Sequence, residues 1–402
     1  MPFADLKSLV ESNKSKIVML VMDGLGGLPL TLDGKTELET ARTPNMDRLA
    51  AEGMLGEHLP IGYGITPGSG PAHFSIFGYD PVAVEVGRGV LEAFGVGMLV
   101  RKGEVAARGN FCTVDAQGLI SDRRAGRISS EEAEPIVARL KSINLPGVEV
   151  EIRHVKEYRF AVVMPGEGLL PDLEETDPQK TGVAPLDVVA KKPEAQKTAD
   201  LFNQWIAEAR KILASEPKAN CLTLRGFATD PALPSYDQKY SLKAACVAVY
   251  PMYRGLAQLV GMDVQNFPGD QPADEFAAVK KIWADYDFIF IHIKKTDSYG
   301  EDGNFDAKVH VIETVDEALP ALLELKPDVL IITGDHSTPA KLKSHSWHPV
   351  PLLLWAPATV RPDEQTTFGE RACAKGGLGT ISGLEVMPLA LAHAQRLVKF
   401  GA

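Results

Sequence analysis

Three short apolar runs in the chain each lead into an aspartate. The runs and their aspartates are residues 17–22 with Asp23, residues 288–293 with Asp297, and residues 329–334 with Asp335. Runs of this length, rich in β-branched residues and almost without polar alternation, are typical of strands buried on both faces of a parallel sheet. Ligands of open α/β sheets bind at the carboxyl ends of the strands. Three carboxylates at one such edge therefore predict a site for cations.

Helical and strand patterns alternate around these runs. Residues 44–52 predict a helix with Thr43 at its N-cap and Gly53 at its end. The glycine-rich residues 62–70 predict a loop, and residues 71–78 predict a short helix with a proline near its start. The alternation indicates an α/β core with a doubly wound, mostly parallel sheet.

The pattern changes in the second quarter of the chain, where arginines cluster and short strand-like segments appear. Residues 103–187 therefore predict a smaller inserted α+β domain. The core is then discontinuous and comprises residues 1–102 and 188–402. We expect it to resume with a helix at 195–215 and a strand at 221–224.

Composition narrows the class of protein. The chain has 402 residues, 45% of them hydrophobic, which is enough for one large core and a second domain. Its net charge of −11 argues against nucleic acid and anionic membranes as partners. The N-terminus shows no secretory pattern, and no apolar stretch approaches the roughly 18 residues needed to cross a bilayer. These features predict a cytoplasmic protein. The four cysteines form no C-x-x-C pair, which suits a reducing compartment and gives no zinc cluster.

The candidate metal ligands are carboxylates and imidazoles near the ends of the apolar runs. They are Asp23, Asp297, Asp335, His336 and His345, with Glu301 and His348 as further candidates. Oxygen-rich sites with a few imidazoles suit Mn²⁺, Mg²⁺ or Zn²⁺. A lone aspartate after a strand can equally be a turn former or an N-cap, and a lone histidine is more often a surface residue. The adjacent pair of Asp335 and His336 favours a metal site.

A serine and a group of arginines add a second kind of chemistry. Ser69 precedes a predicted helix, where N–H groups and the helix dipole favour anionic groups, although a plain N-cap is the commoner explanation. A nearby metal would make Ser69 a nucleophile. Arg123, Arg124 and Arg127 suit carboxylate or phosphate, or form a solvated basic surface. His73 either reaches the site or packs on its helix. The set favours phosphoryl transfer through a phosphoserine.

Short motifs spread over nearly the whole chain carry a family resemblance. They lie at residues 21–24, 43–50, 67–69, 77–81, 108–111, 122–127, 295–297, 333–339 and 348–351. Together they resemble the alkaline phosphatase superfamily, and most closely its cofactor-independent phosphoglycerate mutases of the archaeal type. The resemblance implies an alkaline-phosphatase-like core and an isomerase that interconverts 3- and 2-phosphoglycerate without 2,3-bisphosphoglycerate.

The resemblance also implies roles for individual residues. One divalent metal would be held by Asp23, Ser69, Asp335 and His336, and a second by Asp297, Glu301 and His345. Ser69 would accept the phosphoryl group and return it to the 2-hydroxyl of the retained glycerate. Asp122 would act as an acid or base, and Lys243 would assist phosphoryl transfer. The substrate, a small phosphorylated hydroxy acid, would be bound by Arg108, Arg123, Arg124, Arg127 and His73.

Two positions depart from the family pattern. Glu301 stands where histidine is common, which favours Mn²⁺ or Mg²⁺ over Zn²⁺ or Co²⁺. Gly70 stands where many relatives carry an aspartate. A metal-dependent phosphatase and a homoserine-kinase-like enzyme of the same superfamily are the alternative functions. A non-catalytic metal-binding protein is a further alternative, against which the retention of Ser69 beside every expected ligand argues.

Overall fold

The computed structural model describes residues 6–84, 86–101 and 103–401. In chain order its strands are β1 Ile17–Met22, β2 Met54–Leu59, β3 Val105–Val114, β4 Ile120–Asp122, β5 Glu151–Lys156, β6 Arg159–Met164, β7 Cys221–Ala228, β8 Ala244–Ala248, β9 Asp263–Val264, β10 Phe288–Ile293, β11 Val329–Thr333, β12 Val350–Trp355 and β13 Gly379–Ser382. Its α-helices are α1 Glu37–Thr40, α2 Pro44–Glu52, α3 Ser69–Ile76, α4 Arg88–Gly95, α5 Ser130–Leu140, α6 Gln196–Leu213, α7 Tyr236–Tyr240, α8 Pro251–Leu259, α9 Pro272–Ile282, α10 Lys295–Asp302, α11 Phe305–Leu323, α12 Glu370–Cys373 and α13 Val386–His393.

The chain divides into two compact units. The first comprises Met1–Val84, Pro234–Tyr250 and Val260–Ala402, and the second comprises Glu85–Leu233 and Pro251–Leu259. No helix in the described part of the chain is long and apolar enough to span a bilayer.

The first unit is built on an eight-stranded sheet in the order β13-β2-β12-β11-β1-β10-β8-β9. The neighbouring strands from β11 to β9 all run parallel, whereas β12 is antiparallel to both β11 and β2. The predicted α/β fold with a mostly parallel sheet is therefore confirmed.

The three apolar runs form three adjacent strands at the centre of this sheet. Every residue of β1, β10 and β11 is buried. Strand β1 lies between the other two, with Ile17 paired to both Phe288 and Val329. Since the three strands run in the same direction, their carboxyl ends lie at one edge of the sheet, as predicted.

The second unit has a five-stranded sheet in the order β4-β3-β6-β5, with β7 on the other side of β3. Its strand pairs are antiparallel. Apolar side chains of α5 and α6 pack with those of the sheet in one core, in which Phe202 and Trp205 are fully buried.

This unit is larger than the predicted insert of residues 103–187. The helix expected at 195–215 and the strand expected at 221–224 were assigned to the core, but the structure places α6 and β7 in the second unit. The reason is pairing: β7 lies antiparallel to β3 from Cys221 to Ala228. A short apolar run does not encode which sheet it joins. Lys102, at the predicted boundary, lies outside the described residues.

Candidate active site

Three aspartates lie side by side at the carboxyl edge of the large sheet. Asp23 directly follows β1, Asp335 follows β11 by two residues, and Asp297 lies in the first turn of α10, just after β10. All three side chains are buried. Unpaired carboxylates at this depth would be strongly destabilising, so their partners define what the site can hold.

The first group of candidate metal ligands surrounds the side chain of His336. Its Nε2 lies 3.4 Å from Asp23 Oδ1, 3.2 Å from Asp335 Oδ2 and 3.2 Å from Ser69 Oγ. The ligand atoms of Asp23, Asp335 and His336 lie within 4.8 Å of one another. Asp335 Oδ2 is buried and has no hydrogen bond of good geometry within the described residues. Three oxygens and one imidazole nitrogen fit a divalent cation.

A second group of three comprises Asp297, His345 and, again, His336. His345 Nε2 lies 3.4 Å from Asp297 Oδ1 and 3.8 Å from Glu301 Oε1, and the His345 ring stacks on that of His336 at 3.7 Å. Glu301 is thus close to this group, although its side chain is 54% exposed. His345 Nδ1 donates to the carbonyl of Pro67 (3.0 Å), which leaves Nε2 to face the carboxylates.

His348 belongs to neither group of the described residues. Its Nδ1 pairs with Ser346 Oγ at 3.0 Å, and its ring stacks on Trp347. This geometry does not support its candidacy as a metal ligand.

One hydroxyl connects the two groups. Thr338 Oγ1 donates to Asp297 Oδ1 (2.7 Å) and lies 3.0 Å from His336 Nδ1. Because the threonine proton goes to the carboxylate, Nδ1 of His336 must donate, and its lone pair is on Nε2. Burial lowers the pKa of His336, which also favours the neutral ring. The lone pair of His336 therefore points at Ser69, Asp23 and Asp335.

Lys294 is a site residue that the sequence analysis did not select. Its Nζ donates to Asp23 Oδ2 (2.9 Å) and Asp297 Oδ2 (2.5 Å), and so joins the two carboxylates. Burial alone would raise the pKa of Asp23, but the Lys294 ammonium and His292 hold it well below its ordinary value. The available signal was a lysine placed directly after a buried strand, three residues before Asp297.

Ser69 is the first residue of α3, with Gly68 at the N-cap. The helix begins two residues earlier than predicted, so the hydroxyl lies in the first turn, where the helix dipole favours negative charge. Ser69 is partly exposed, in contrast to the buried Asp23, Asp335 and His336. It is the member of this set that a substrate can reach.

His73 occupies a different position from the one predicted. Its ring is fully buried, and its Nδ1 lies 2.8 Å from the Ser69 carbonyl and 3.2 Å from Asp335 Oδ2. Although burial disfavours the charged ring, the Asp335 carboxylate raises the pKa of His73. Such a ring supports Asp335 and the start of α3, and its burial argues against the predicted substrate contact.

Lys243 lies at the opposite edge of the sheet from the aspartates. It precedes β8, its N–H donates to Asp287 Oδ2 at 3.1 Å, and Asp287 precedes β10. Its Nζ lies 4.9 Å from the centroid of the Tyr286 ring. A strand of five or six residues separates it from the carboxyl edge by about 16 Å. The predicted assistance to phosphoryl transfer is therefore not supported, and Lys294 is the lysine at the carboxylates.

The second unit holds the motif of residues 122–127. Asp122 accepts hydrogen bonds from the backbone N–H groups of Arg124 (2.7 Å) and Gly126 (2.8 Å), so it shapes this turn. Arg123 makes a two-pronged ion pair with Asp177. Arg124 and Arg127 are exposed. Of the three arginines in this motif, Arg124 and Arg127 are therefore the ones that are exposed and have no ion pair among the described residues.

Arg108, on β3 of the same unit, is the centre of a larger arginine cluster. It is buried, its Nη1 lies 3.8 Å from Glu92 Oε1, and its Nε has no hydrogen-bond partner among the described residues. Burial and the nearby charges of Arg88, Arg225 and Arg159 lower its pKa, against the opposing effect of Glu92. These three arginines, distant in sequence, were missed. The cluster, Arg88, Arg108, Arg159 and Arg225, suits an anion.

Comparisons with known proteins identify the family of the chain. Residues 50–219 match the family described as 2,3-bisphosphoglycerate-independent phosphoglycerate mutase. Proteins named as probable mutases of this kind are 49% identical in Aquifex aeolicus (99% of both chains) and 51% identical in Deinococcus radiodurans (99% of this chain, 98% of the other).

Two solved structures are also similar along nearly the whole chain. The PH0037 protein of Pyrococcus horikoshii is 32% identical with a TM-score of 0.84, covering 97% of this chain and 100% of that one. The cofactor-independent phosphoglycerate mutase of Thermoplasma acidophilum is 31% identical with a TM-score of 0.74, covering 94% and 100%. The resemblance drawn from the sequence is thereby confirmed, and the chain belongs to the 2,3-bisphosphoglycerate-independent phosphoglycerate mutases, a family of isomerases.

Proposed function

We propose that the protein interconverts 3-phosphoglycerate and 2-phosphoglycerate, a step of glycolysis and gluconeogenesis, through a phosphoserine at Ser69. The observation that carries this proposal is the position of Ser69 Oγ, 3.2 Å from His336 Nε2, as the partly exposed member of a buried set. A hydroxyl in that position is reachable by substrate and lies where charge on its oxygen is stabilised.

Two divalent metals are part of the proposal. Asp23, Asp335, His336 and Ser69 would hold one, and Asp297, His345 and Glu301 the other. When bound, such cations would lower the pKa of the Ser69 hydroxyl and neutralise charge on the phosphoryl oxygens. Against the effect of burial, Lys294 and His292 lower the pKa of Asp23, and neighbouring histidines, including His73, lower the pKa of Asp335. Burial lowers the pKa of His336, and two anionic carboxylates beside a neutral ring are the protonation states that this ligation needs.

The chain's own residues would orient the serine and the substrate. His73 donates to the Ser69 carbonyl and contacts Asp335, so it fixes the first turn of α3 against one ligand. The first turn of α3 favours negative charge at the serine. We assign the substrate's carboxylate or phosphate to Arg108 and its neighbouring arginines, with Arg124 and Arg127 as further exposed donors. A mutase must also retain the glycerate between the two transfers.

Conversion of 3-phosphoglycerate, coupled to enolase in the absence of 2,3-bisphosphoglycerate, tests the proposal. Ser69→Ala should abolish conversion in the presence of Mn²⁺. Ser75→Ala is the matched control, since Ser75 is a buried serine on the same helix whose Oγ faces Gly383. It should convert substrate at the wild-type rate. Conversion by Ser69→Ala would refute the phosphoserine, and inorganic phosphate as the main wild-type product would indicate a phosphatase instead.

A further inference from the structure

Lys308 is a fully buried lysine on α11. Burial of an ammonium group is strongly unfavourable unless it is completely hydrogen-bonded or paired with anions. Lysine side chains are almost never fully buried in folded proteins unless they are paired. A fully buried lysine in the first unit therefore indicates a specific structural role.

All three protons of the ammonium have acceptors. Lys308 Nζ donates to the backbone carbonyls of Gly24 (2.8 Å), Gly26 (3.2 Å) and Thr338 (2.9 Å). The three carbonyls come from two loops. The first loop follows Asp23 at the end of β1, and the second contains Asp335, His336 and Thr338 after β11. One charged group thus crosslinks the two loops that supply the first set of candidate ligands.

The same two loops are also joined by hydrogen bonds of their own. The N–H of Thr338 donates to the carbonyls of Gly24 (3.1 Å) and Gly26 (3.0 Å), and the N–H of Gly24 donates to Asp335 Oδ1 (3.0 Å). Gly24 has a φ of +62°, and a Cβ there would lie 2.4 Å from Thr338 Oγ1. The contact is thus close enough to require glycine, and a small displacement of either loop would move Asp23 relative to His336.

Carboxylates lie near the Lys308 ammonium, of which Glu37 is fully buried and Glu370 is partly buried. Burial lowers the pKa of Lys308, and the nearby carboxylates of Glu37 and Glu370, followed by Asp297 and Asp23, oppose this effect. Glu37 accepts from the N–H of Ala340 (2.7 Å), and Glu370 accepts from the N–H of Gly27 (2.8 Å). The two glutamates therefore hold the outer ends of the same loops.

We infer that Lys308 is a positioning residue, whose ammonium fixes Asp23 and His336 in the geometry that binds the first metal. The inference rests on the metal site of the proposed function and deepens it. A positive charge near Asp23 and Asp297 also stabilises these buried carboxylates, which a purely apolar support would not do. Within the described residues, the hydrogen bonds of Lys308 Nζ all go to backbone carbonyls, so it acts through the ligands and not on the substrate.

Co²⁺ binding to the metal-free protein, followed by visible absorption, tests this role without an activity assay. Lys308→Met keeps the length of the side chain and removes its charge and its donors. It should weaken Co²⁺ binding about 10- to 100-fold, as loss of a group that orients ligands does, and shift the absorption band. Lys308→Arg keeps the charge and should recover part of the affinity.

Asp316→Asn is the control for stability alone. Asp316 is buried on the same helix, but it accepts from Asn45 and Met46 at the start of α2. This variant should lower the melting temperature and leave Co²⁺ affinity unchanged. Should Lys308→Met not fold, Lys308→Gln replaces it, with the same expected loss of at least about tenfold.

Wild-type Co²⁺ affinity in the neutral Lys308 variants would overturn the inference. So would an equal loss of affinity in Asp316→Asn at an equal drop in melting temperature. Absence of Co²⁺ binding by the wild-type chain would contradict the metal site and the positioning role together. The two proposals can also fail separately. If Lys308→Met lost Co²⁺ affinity as expected but the wild type formed no phosphoserine, the positioning role would stand and the proposed function would be refuted.

Discussion

Thr338→Val should separate the two candidate ligand groups that Thr338 connects. Valine has nearly the same shape but no hydroxyl, so Asp297 Oδ1 loses its 2.7 Å donor and His336 Nδ1 loses its 3.0 Å acceptor. A buried hydrogen bond to a carboxylate is worth about 1.5–3 kcal/mol and a neutral one about 0.5–1.5 kcal/mol. The remaining contact of Asp297 Oδ1 to His345 Nε2 is 3.4 Å long. The free energy of unfolding should therefore fall by about 2–4 kcal/mol.

Urea denaturation of the metal-free protein measures this loss as a shift of the midpoint at unchanged slope. Thr338→Ser is the matched control, because it keeps the hydroxyl and removes one methyl group, at a cost of about 1 kcal/mol. Co²⁺ affinity should fall about 10- to 100-fold in Thr338→Val and much less in Thr338→Ser. If the two variants shared one midpoint and one Co²⁺ affinity, the hydroxyl would not hold the ligands and this reasoning would be refuted.

Three further predictions concern single side chains. Asp297→Asn should abolish binding of the second Co²⁺ equivalent in a titration, because Asp297 is buried. Glu301→Gln, at a half-exposed position, should weaken the binding of that equivalent only about tenfold. Equal effects of the two variants would contradict this ranking. Arg108→Met should raise the KM for 3-phosphoglycerate about tenfold or more and Arg108→Lys less, and an unchanged KM in both would exclude Arg108 from substrate binding. Burial lowers the pKa of His58 from 6.5 to about 4, so between these pH values the unfolded chain binds a proton that the native chain does not, and stability falls as the pH falls. His58→Gln should reduce that loss by about 3 kcal/mol in unfolding experiments at pH 6.5 and 4, and an identical pH dependence would disprove the neutral buried ring.

The sequence predicted the site best where chemistry and strand pattern coincide. The runs before Asp23, Asp297 and Asp335 are short and wholly apolar, a pattern that requires burial on both faces, and burial on both faces places them in the middle of the sheet. The parallel arrangement alone places the three aspartates at one edge of the sheet, whereas their side-by-side positions come from the strand order β11-β1-β10. Ser69 and His345 were then selected by residue type and by the family resemblance, and the structure brings both to His336.

Other features depend on partners that a linear pattern does not specify. Strand β7 has the same apolar character as a core strand, and its pairing with β3 decides its unit. Lys243 was carried over from a family motif, yet the direction of β8 places it at the opposite edge. Lys294 and Lys308 resemble surface lysines in sequence. Their roles become visible only from the contacts of the partly buried Lys294 with carboxylates and of the fully buried Lys308 with backbone carbonyls. The opposite error was made for His73, which resembles a substrate-binding residue in sequence although its side chain is fully buried.

Detection of phosphate on Ser69 during turnover tests the central claim most directly. The protein with Mn²⁺ is mixed with 3-phosphoglycerate, quenched in acid within milliseconds, and digested for mass spectrometry of the peptide that contains Ser69. The proposed function predicts a phosphorylated Ser69 peptide that appears during turnover and is absent from Ser69→Ala. Conversion to 2-phosphoglycerate at the normal rate with this peptide unmodified, or with phosphate on another residue, would contradict it.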